Sequence, residues 1–100
     1  MNATLAAALI LVAGQNNALH ILDAVYGNAD RGRFCDVLLP VSQQCDDRTT
    51  CLVSVSNGMC GDPDFGHPKQ LYLAFKCGGF PAKVLQAPEG SVVRLACGVP

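Results

Sequence analysis

A carboxylate and an amine lie seven positions apart in the most informative segment of the chain. Asp62 stands between Gly61 and Pro63, on a turn that leaves its side chain little conformational freedom. A carboxylate can accept hydrogen bonds from two neighbouring hydroxyl groups, and such charge-assisted bonds are stronger than neutral ones. Lys69 supplies N–H donors for hydroxyl or ring oxygens. These residue types suit a ligand that carries several hydroxyl groups.

Two further residues add to this candidate site. Gly66 permits close approach of a ligand to the backbone, and Tyr26 offers a ring face and a hydroxyl group. Two other interpretations stay open at this point. Asp62 is also suited to bracing its own loop as a turn residue, and Lys69 is also suited to a solvated position at the start of a strand.

The acids and histidines of the chain do not form a catalytic pattern. Asp46 and Asp47 lie in a turn-rich polar segment, as do Asp62 and Asp64, and His20 falls in an apolar strand. The chain has no G-x-S-x-G, H-E-x-x-H or P-loop motif. The acids also lack the dense ligand spacing of a calcium loop. We therefore expect neither an enzyme nor a site for a metal or cofactor.

Length, charge and cysteine content restrict the class of protein further. A chain of 100 residues with a net charge of −1 lacks the basic face of a nucleic-acid-binding protein. It has no run of eighteen apolar residues for a membrane-spanning helix. The six cysteines are unsuited to zinc or redox C-x-x-C motifs and indicate disulfides in an oxidising compartment. They are Cys35, Cys45, Cys51, Cys60, Cys77 and Cys97.

The first fourteen residues differ in composition from the rest. Residues 1–14 carry no charge, and residues 5–13 form an apolar run that ends in small residues before Gln15. This pattern predicts a signal peptide, cleavage near Gln15, and secretion of a single domain that spans residues 15–100. An apolar strand or helix that is retained in the fold is the alternative.

Hydrophobic periodicity predicts the elements that would position these residues. Alternating apolar residues predict four strands, at residues 18–25, 51–56, 71–77 and 91–97. The strand at residues 51–56 is expected to be buried, because it contains Leu52, Val53 and Val55. Asp36 is placed to cap a short helix that ends at Gln44. Glycine, proline and polar residues predict loops, at residues 26–33, 57–68 and 78–88. The expected fold class is α+β, a small disulfide-stapled domain of mainly antiparallel strands with one or two short helices.

Several short motifs resemble the SUEL-type lectin domain, a family that binds galactosides and rhamnose. The matching segments lie within residues 18–97, in the order of the family: Leu19-His20-Ile21, Ala24-Val25-Tyr26-Gly27, Val55-Ser56-Asn57, Gly61-Asp62-Pro63, Gly66, Lys69 and Leu71. The chain departs from the family at three positions. Asn28 replaces an arginine, Asp64 replaces the cysteine that follows G-D-P, and Gln70 replaces the tyrosine of K-Y-L.

The resemblance also implies a permuted order of strands. Residues 89–97 are similar to the opening strand of the family, although here they follow the last strand. Domain termini usually lie close together, so a circular permutation is compatible with the fold. An unrelated C-terminal strand with an accidental match is the alternative. If the permutation holds, the family's sugar-binding residues correspond to Tyr26, Asp62, Gly66, Lys69 and Glu89, which would line one shallow pocket.

The family resemblance carries the expectations about disulfides and function. It implies the pairs Cys45–Cys51, Cys77–Cys97 and Cys35–Cys60. It also implies a secreted carbohydrate-binding module whose partner is a glycan with galactoside or rhamnose-like sugars. A second reading is a secreted, disulfide-stabilised protein-interaction domain that kept the lectin fold without sugar binding, and the replacements at Asn28 and Gln70 favour it.

Overall fold

The computed structural model describes residues 18–98, which form two antiparallel sheets, one α-helix and two short 3-10 helices. In chain order the strands are β1 (Leu19–Asn28), β2 (Arg33–Asp36), β3 (Thr50–Ser54), β4 (Gln70–Cys77), β5 (Lys83–Pro88) and β6 (Val92–Ala96). The helix α1 (Leu38–Cys45) follows β2, and the 3-10 helices span Ala29–Arg31 and Asn57–Met59. The predicted α+β class is confirmed. The predicted signal peptide, residues 1–14, lies outside the described residues.

The larger sheet has the strand order β2-β1-β4-β5, and β3 pairs with β6 in the smaller one. The predicted apolar face of β4 is confirmed, because Leu71, Leu73 and Phe75 are all buried. Strand β1 changes face at an irregularity in its pairing with β4, between Ile21 and Asp23. A bulge of this kind shifts the two-residue alternation by one position. Tyr26 consequently lies in the core, with no exposed surface.

The helix and the smaller sheet complete the core. The N-cap of α1 is Val37, one position after the predicted Asp36, but Asp36 Oδ1 still accepts a hydrogen bond from the Leu38 backbone N–H at 2.8 Å and so supports the start of the helix. Val41 of α1 and Val37, which immediately precedes the helix, are both buried in the core. The expectation that Leu52 marks a buried position is wrong, since its side chain is 59% exposed. Strand alternation turns Val53 inward and Leu52 outward.

The segment predicted as a loop at residues 26–33 is instead largely a hairpin. Strand β1 continues to Asn28, and β2 returns beside it from Arg33. Gly27 has φ +136, and a Cβ at this position would lie 2.4 Å from the Arg33 carbonyl oxygen. The glycine therefore allows two strands to approach closely and does not mark a break in the strand.

The segment predicted as a linker at residues 78–88 also contains a strand. Strand β5 pairs with β4 from Gln70↔Pro88 to Phe75↔Lys83. Proline ordinarily argues against a strand, but β5 lies at the sheet edge, where proline is tolerated. This strand matters for the site because it carries the chain from Lys83 back to the start of β4.

All three implied disulfide pairs are confirmed, as Cys35–Cys60, Cys45–Cys51 and Cys77–Cys97. The last of these joins the larger sheet, at the end of β4, to the residue that follows β6. Three disulfides indicate an oxidising environment. Among residues 18–98, no helix has the length and apolar character needed to cross a bilayer.

Candidate functional site

The segment between β3 and β4 is an ordered loop, as predicted, and several contacts hold its first half. Ser56 Oγ accepts a hydrogen bond from the Gly58 N–H at 3.2 Å, and the Gly61 N–H donates to the Asn57 carbonyl at 2.7 Å. The Tyr26 hydroxyl donates to Asn57 Oδ1 at 2.6 Å. Together with the bridge to Cys60, these contacts attach the loop to the larger sheet before the chain reaches Asp62.

Lys69 forms the centre of the candidate site and is almost fully buried, with 5% of its side chain exposed. Its ammonium nitrogen Nζ lies 2.8 Å from Asp62 Oδ1 and 3.4 Å from Glu89 Oε1. It also donates to the Asp64 carbonyl at 3.4 Å. An ammonium group has three N–H donors, so these contacts occupy all of them. The interpretation of Lys69 as a solvated strand start is therefore wrong.

Asp62 and Glu89 reach this ammonium from different parts of the chain. Asp62 also accepts a hydrogen bond from the Asp64 N–H at 3.3 Å, so it braces its own turn while it pairs with Lys69. Glu89 follows β5, and its Oε1 accepts a hydrogen bond from the Lys69 backbone N–H at 3.0 Å. The β4–β5 hairpin produces this contact, because its register pairs Gln70 with Pro88.

The two carboxylates remain accessible to a ligand. The exposed fraction of the Asp62 side chain is 28%, and that of Glu89 is 30%. Within residues 18–98, Asp62 Oδ2 and Glu89 Oε2 take part in no hydrogen bond. One acceptor oxygen of each residue is therefore free to bind a hydroxyl donor.

The other two predicted site residues differ from expectation. The Tyr26 ring is buried and offers no face to a ligand, and burial is the main cause that raises its pKa, with a further contribution from Glu89. Gly66 lies in an exposed turn at φ +83, and a Cβ there would meet no atom within 4 Å. The structure thus brings Asp62, Lys69 and Glu89 together above Tyr26, whereas Gly66 makes no hydrogen bond to this group within the described residues.

A second cluster, centred on Asp64, was not predicted from the sequence. Asp64 is 4% exposed, and its Oδ2 accepts hydrogen bonds from Arg31 Nε at 2.8 Å and Asn28 Nδ2 at 2.9 Å. His67 Nδ1 lies 3.5 Å from Asp64 Oδ1. The hydrogen bond from Arg31 is the main cause that lowers the Asp64 pKa. No local pattern identifies Arg31 as a partner, because it precedes Asp64 by 33 positions.

Several surface depressions of residues 18–98 are lined by residues outside the candidate site. One lies on the outer face of β4 and β5 beside Tyr72 and Val84, and another borders the Cys77–Cys97 disulfide. The shallow pocket that we expect at Asp62, Lys69 and Glu89 stays a prediction. The same described range contains no group of three His, Cys, Asp or Glu side chains arranged to hold a metal ion.

Comparison with known protein families, curated proteins and solved structures finds no match to this chain. The interpretation of the site therefore depends on its geometry and on the motifs in the sequence. Both concern the same few residues, because the G-D-P loop and the start of β4 supply Asp62 and Lys69.

The pKa shifts in the site predict that stability falls at both extremes of pH. The Asp62 hydrogen bond raises the pKa of Lys69, and burial raises that of Tyr26. Both groups hold their proton more tightly when folded, so their contribution is complete below about pH 10 and is lost as the pH rises through the folded pKa values. Asp64 has a lowered pKa, so its contribution is complete above about pH 4 and is lost as the pH falls further.

Urea unfolding at a series of pH values measures this dependence. We expect the free energy of unfolding of the wild-type protein to fall below about pH 4 and above about pH 10. Asp64→Asn should be less stable at neutral pH and should show a weaker fall on the acid side, because the amide does not titrate. An acid limb of unchanged steepness in this variant would assign the acid sensitivity to other carboxyl groups.

Proposed function

We propose that this domain is a secreted carbohydrate-binding module for galactoside or rhamnose-like sugars. The observation that carries the proposal is the pairing of Asp62 and Glu89 with one buried ammonium group, while both side chains stay partly exposed and each has an oxygen without a hydrogen bond. In this proposal the two carboxylates accept hydrogen bonds from the hydroxyl groups of the sugar.

The geometry of the carboxylates supports this function. Because Lys69 Nζ contacts both Asp62 Oδ1 and Glu89 Oε1, those two oxygens lie no more than about 6 Å apart. The free oxygens, Asp62 Oδ2 and Glu89 Oε2, belong to the same two carboxylates, so both lie near the shared ammonium group and within the same small region. The carboxylates are also fixed before a ligand arrives, and this reduces the entropy lost on binding.

The remaining members of the candidate site have positioning roles in this proposal. Lys69 has no free N–H donor for a sugar, so it acts by holding Asp62 and Glu89 in place. Tyr26 acts through Asn57, by fixing the first half of the loop. Gly66, at φ +83, allows the turn that follows Asp64.

Two residues that depart from the lectin pattern bind each other, and this pairing supports the family resemblance. Asn28 replaces the family's arginine and Asp64 replaces its cysteine, and the Asn28 amide donates to the Asp64 carboxylate at 2.9 Å. The same amide donates to the Pro68 carbonyl at 2.9 Å. The disulfide in this region is formed by Cys60, in the same loop. The position of Glu89 beside Lys69 is the one that a circularly permuted domain requires.

Secretion is part of the proposal. An oxidising environment is indicated by the three disulfides, and the uncharged apolar segment at residues 1–14 has the composition of an export signal. A lectin acts where glycans are displayed. The disulfides, the apolar segment and the proposed sugar binding are therefore all consistent with secretion.

A second candidate function is a protein-interaction domain that kept the fold and lost the sugar. The edge strand β5 favours it, because Val84 on this strand is 81% exposed and the strand has one unpaired side in the larger sheet. An exposed edge strand can pair with an extended segment of another protein. The exposed edge of β5 at Val84 is separate from the carboxylates of Asp62 and Glu89. A measurement of sugar binding therefore distinguishes the lectin from the protein-interaction domain.

Titration of isotope-labelled protein with methyl β-galactoside and with L-rhamnose, followed by NMR, tests the proposal. We expect one of these sugars to bind with a dissociation constant of about 1 mM, as suits so few polar contacts. Glu89→Gln keeps the shape of the side chain but loses its charge, and should weaken binding by roughly tenfold or more. The matched control is Asp30→Asn, at an exposed acid of a 3-10 helix, which should bind like the wild type.

Two results would contradict the proposal. A wild-type protein that shows no spectral change with either sugar at roughly 50 mM, far above the expected dissociation constant, is not such a lectin. Equal loss of binding in Glu89→Gln and Asp30→Asn would show that the loss is not specific to the site, and would remove the assignment of Glu89.

A further inference from the structure

Phe65 has the most exposed large hydrophobic side chain in residues 18–98, at 88%. Single apolar side chains are common on protein surfaces, so exposure alone assigns no role to this ring. Its position does, because it lies between Asp64 and Gly66 in the loop that supplies Asp62 to the candidate site.

The backbone on both sides of Phe65 is held in place. Asp64 is buried by its contacts with Asn28 and Arg31, and its carbonyl oxygen accepts hydrogen bonds from Lys69 Nζ at 3.4 Å and the His67 N–H at 3.1 Å. Gly66 follows at φ +83, a backbone conformation that residues other than glycine rarely adopt. The ring therefore projects from a turn whose backbone is held on both sides.

Phe65 lies in the same turn as one of the two carboxylates, that of Asp62. Phe65 follows Asp62 by three positions, so their Cα atoms lie within about 11 Å of each other. The Asp64 N–H donates to Asp62 Oδ1 and shortens the path between them. Phe65 is therefore within reach of a ligand that contacts Asp62 and extends along the loop.

Fixed acceptors and an exposed aromatic ring on one loop match a ligand that has both hydroxyl groups and an apolar face. A sugar ring has both, since its C–H bonds form a face that can pack on an aromatic ring. From these contacts, and on the basis of the proposed function, we infer that the site binds a glycan at least two sugars long. One sugar bonds to Asp62 and Glu89, and the next sugar packs on Phe65.

Comparing the affinities for a monosaccharide and for the matching disaccharide tests the two sugar positions separately. The probes are methyl β-galactoside against lactose, and methyl α-rhamnoside against rutinose. Phe65→Ala should bind the monosaccharide like the wild type and the matching disaccharide about fivefold more weakly, as expected for loss of an aromatic contact. Phe80→Ala is the matched control. Phe80 is 61% exposed and follows the far end of β4, about 26 Å along the strand from Lys69.

A fluorescence experiment tests contact with the ring directly. The chain contains no tryptophan, so Phe65→Trp and Phe80→Trp each introduce a single reporter. Lactose or rutinose should change the emission of Phe65→Trp and leave that of Phe80→Trp unchanged.

The outcomes separate this inference from the proposed function. If the wild type binds a monosaccharide but Phe65→Ala binds the disaccharide with unchanged affinity, the role of Phe65 is overturned and the lectin function stands. If the wild type binds none of the four sugars, the proposed function fails and the role of Phe65 fails with it. Weaker binding of both sugar lengths by Phe65→Ala also overturns the inference, because the ring would then support the first sugar site.

Discussion

Replacement of Lys69 by methionine is expected to lower the melting temperature by roughly 5–10 °C. Methionine retains an apolar stem but removes the ammonium that binds Asp62 and Glu89. Both carboxylates would then lie close together without their shared counter-charge, and like charges at short range repel. Their partial exposure limits the loss, because water can solvate them. Thermal unfolding followed by circular dichroism measures the change.

Lys83→Met is the matched control for this experiment. Lys83 is an exposed lysine at the start of β5, and it takes part in no ion pair within residues 18–98. We expect its replacement to shift the melting temperature by no more than about 2 °C. Lys69→Met should also lose sugar binding, because the two carboxylates would no longer be held together. Equal melting temperatures for the two variants would show that the buried ammonium adds nothing to stability.

Removal of the Cys77–Cys97 disulfide is expected to lower the free energy of unfolding by about 3 kcal/mol. The two cysteines lie 20 positions apart, so the bond closes a long loop and restricts the unfolded chain strongly. It is also the one disulfide of the three that connects the two sheets. Urea unfolding of the double variant Cys77→Ala/Cys97→Ala measures the loss.

The Cys45–Cys51 bond provides the comparison, because it closes a loop of only 6 positions. The chain-entropy model predicts that the free energy of unfolding of the double variant Cys45→Ala/Cys51→Ala is lower by about 2 kcal/mol. A larger loss here than at Cys77–Cys97 would contradict the entropic explanation. It would instead point to packing, because Cys45 has no exposed surface.

Some elements of the fold could be predicted because their signal is local. Leu71, Leu73 and Phe75 alternate with more polar residues, and a two-residue period is enough to identify β4 and its buried face. Asp36 precedes the helix at a position from which its carboxylate reaches the Leu38 N–H. These interactions act within a few residues, so the order of residue types contains them.

Other elements were missed because their stability comes from distant partners. Strand β5 contains a proline and few alternating residues, and it forms because β4 offers it a complete set of pairing positions. Gly27 looks like a loop residue until β2 is placed beside it. The irregularity after Ile21 reverses the faces of β1, and a strict alternation cannot predict it.

Residue order alone accounts for the local periods of β4 and α1, the even number of cysteines, and the residue types available for binding. Other features became visible only in the folded chain: Lys69 is buried with all its donors in use, and Asn28 and Arg31 meet Asp64 across 36 and 33 positions. The two sets of features differ in the range of the interactions behind them. Helix and strand periods follow from neighbouring residues, whereas contacts between side chains depend on strand register and on the path of the loop between β3 and β4.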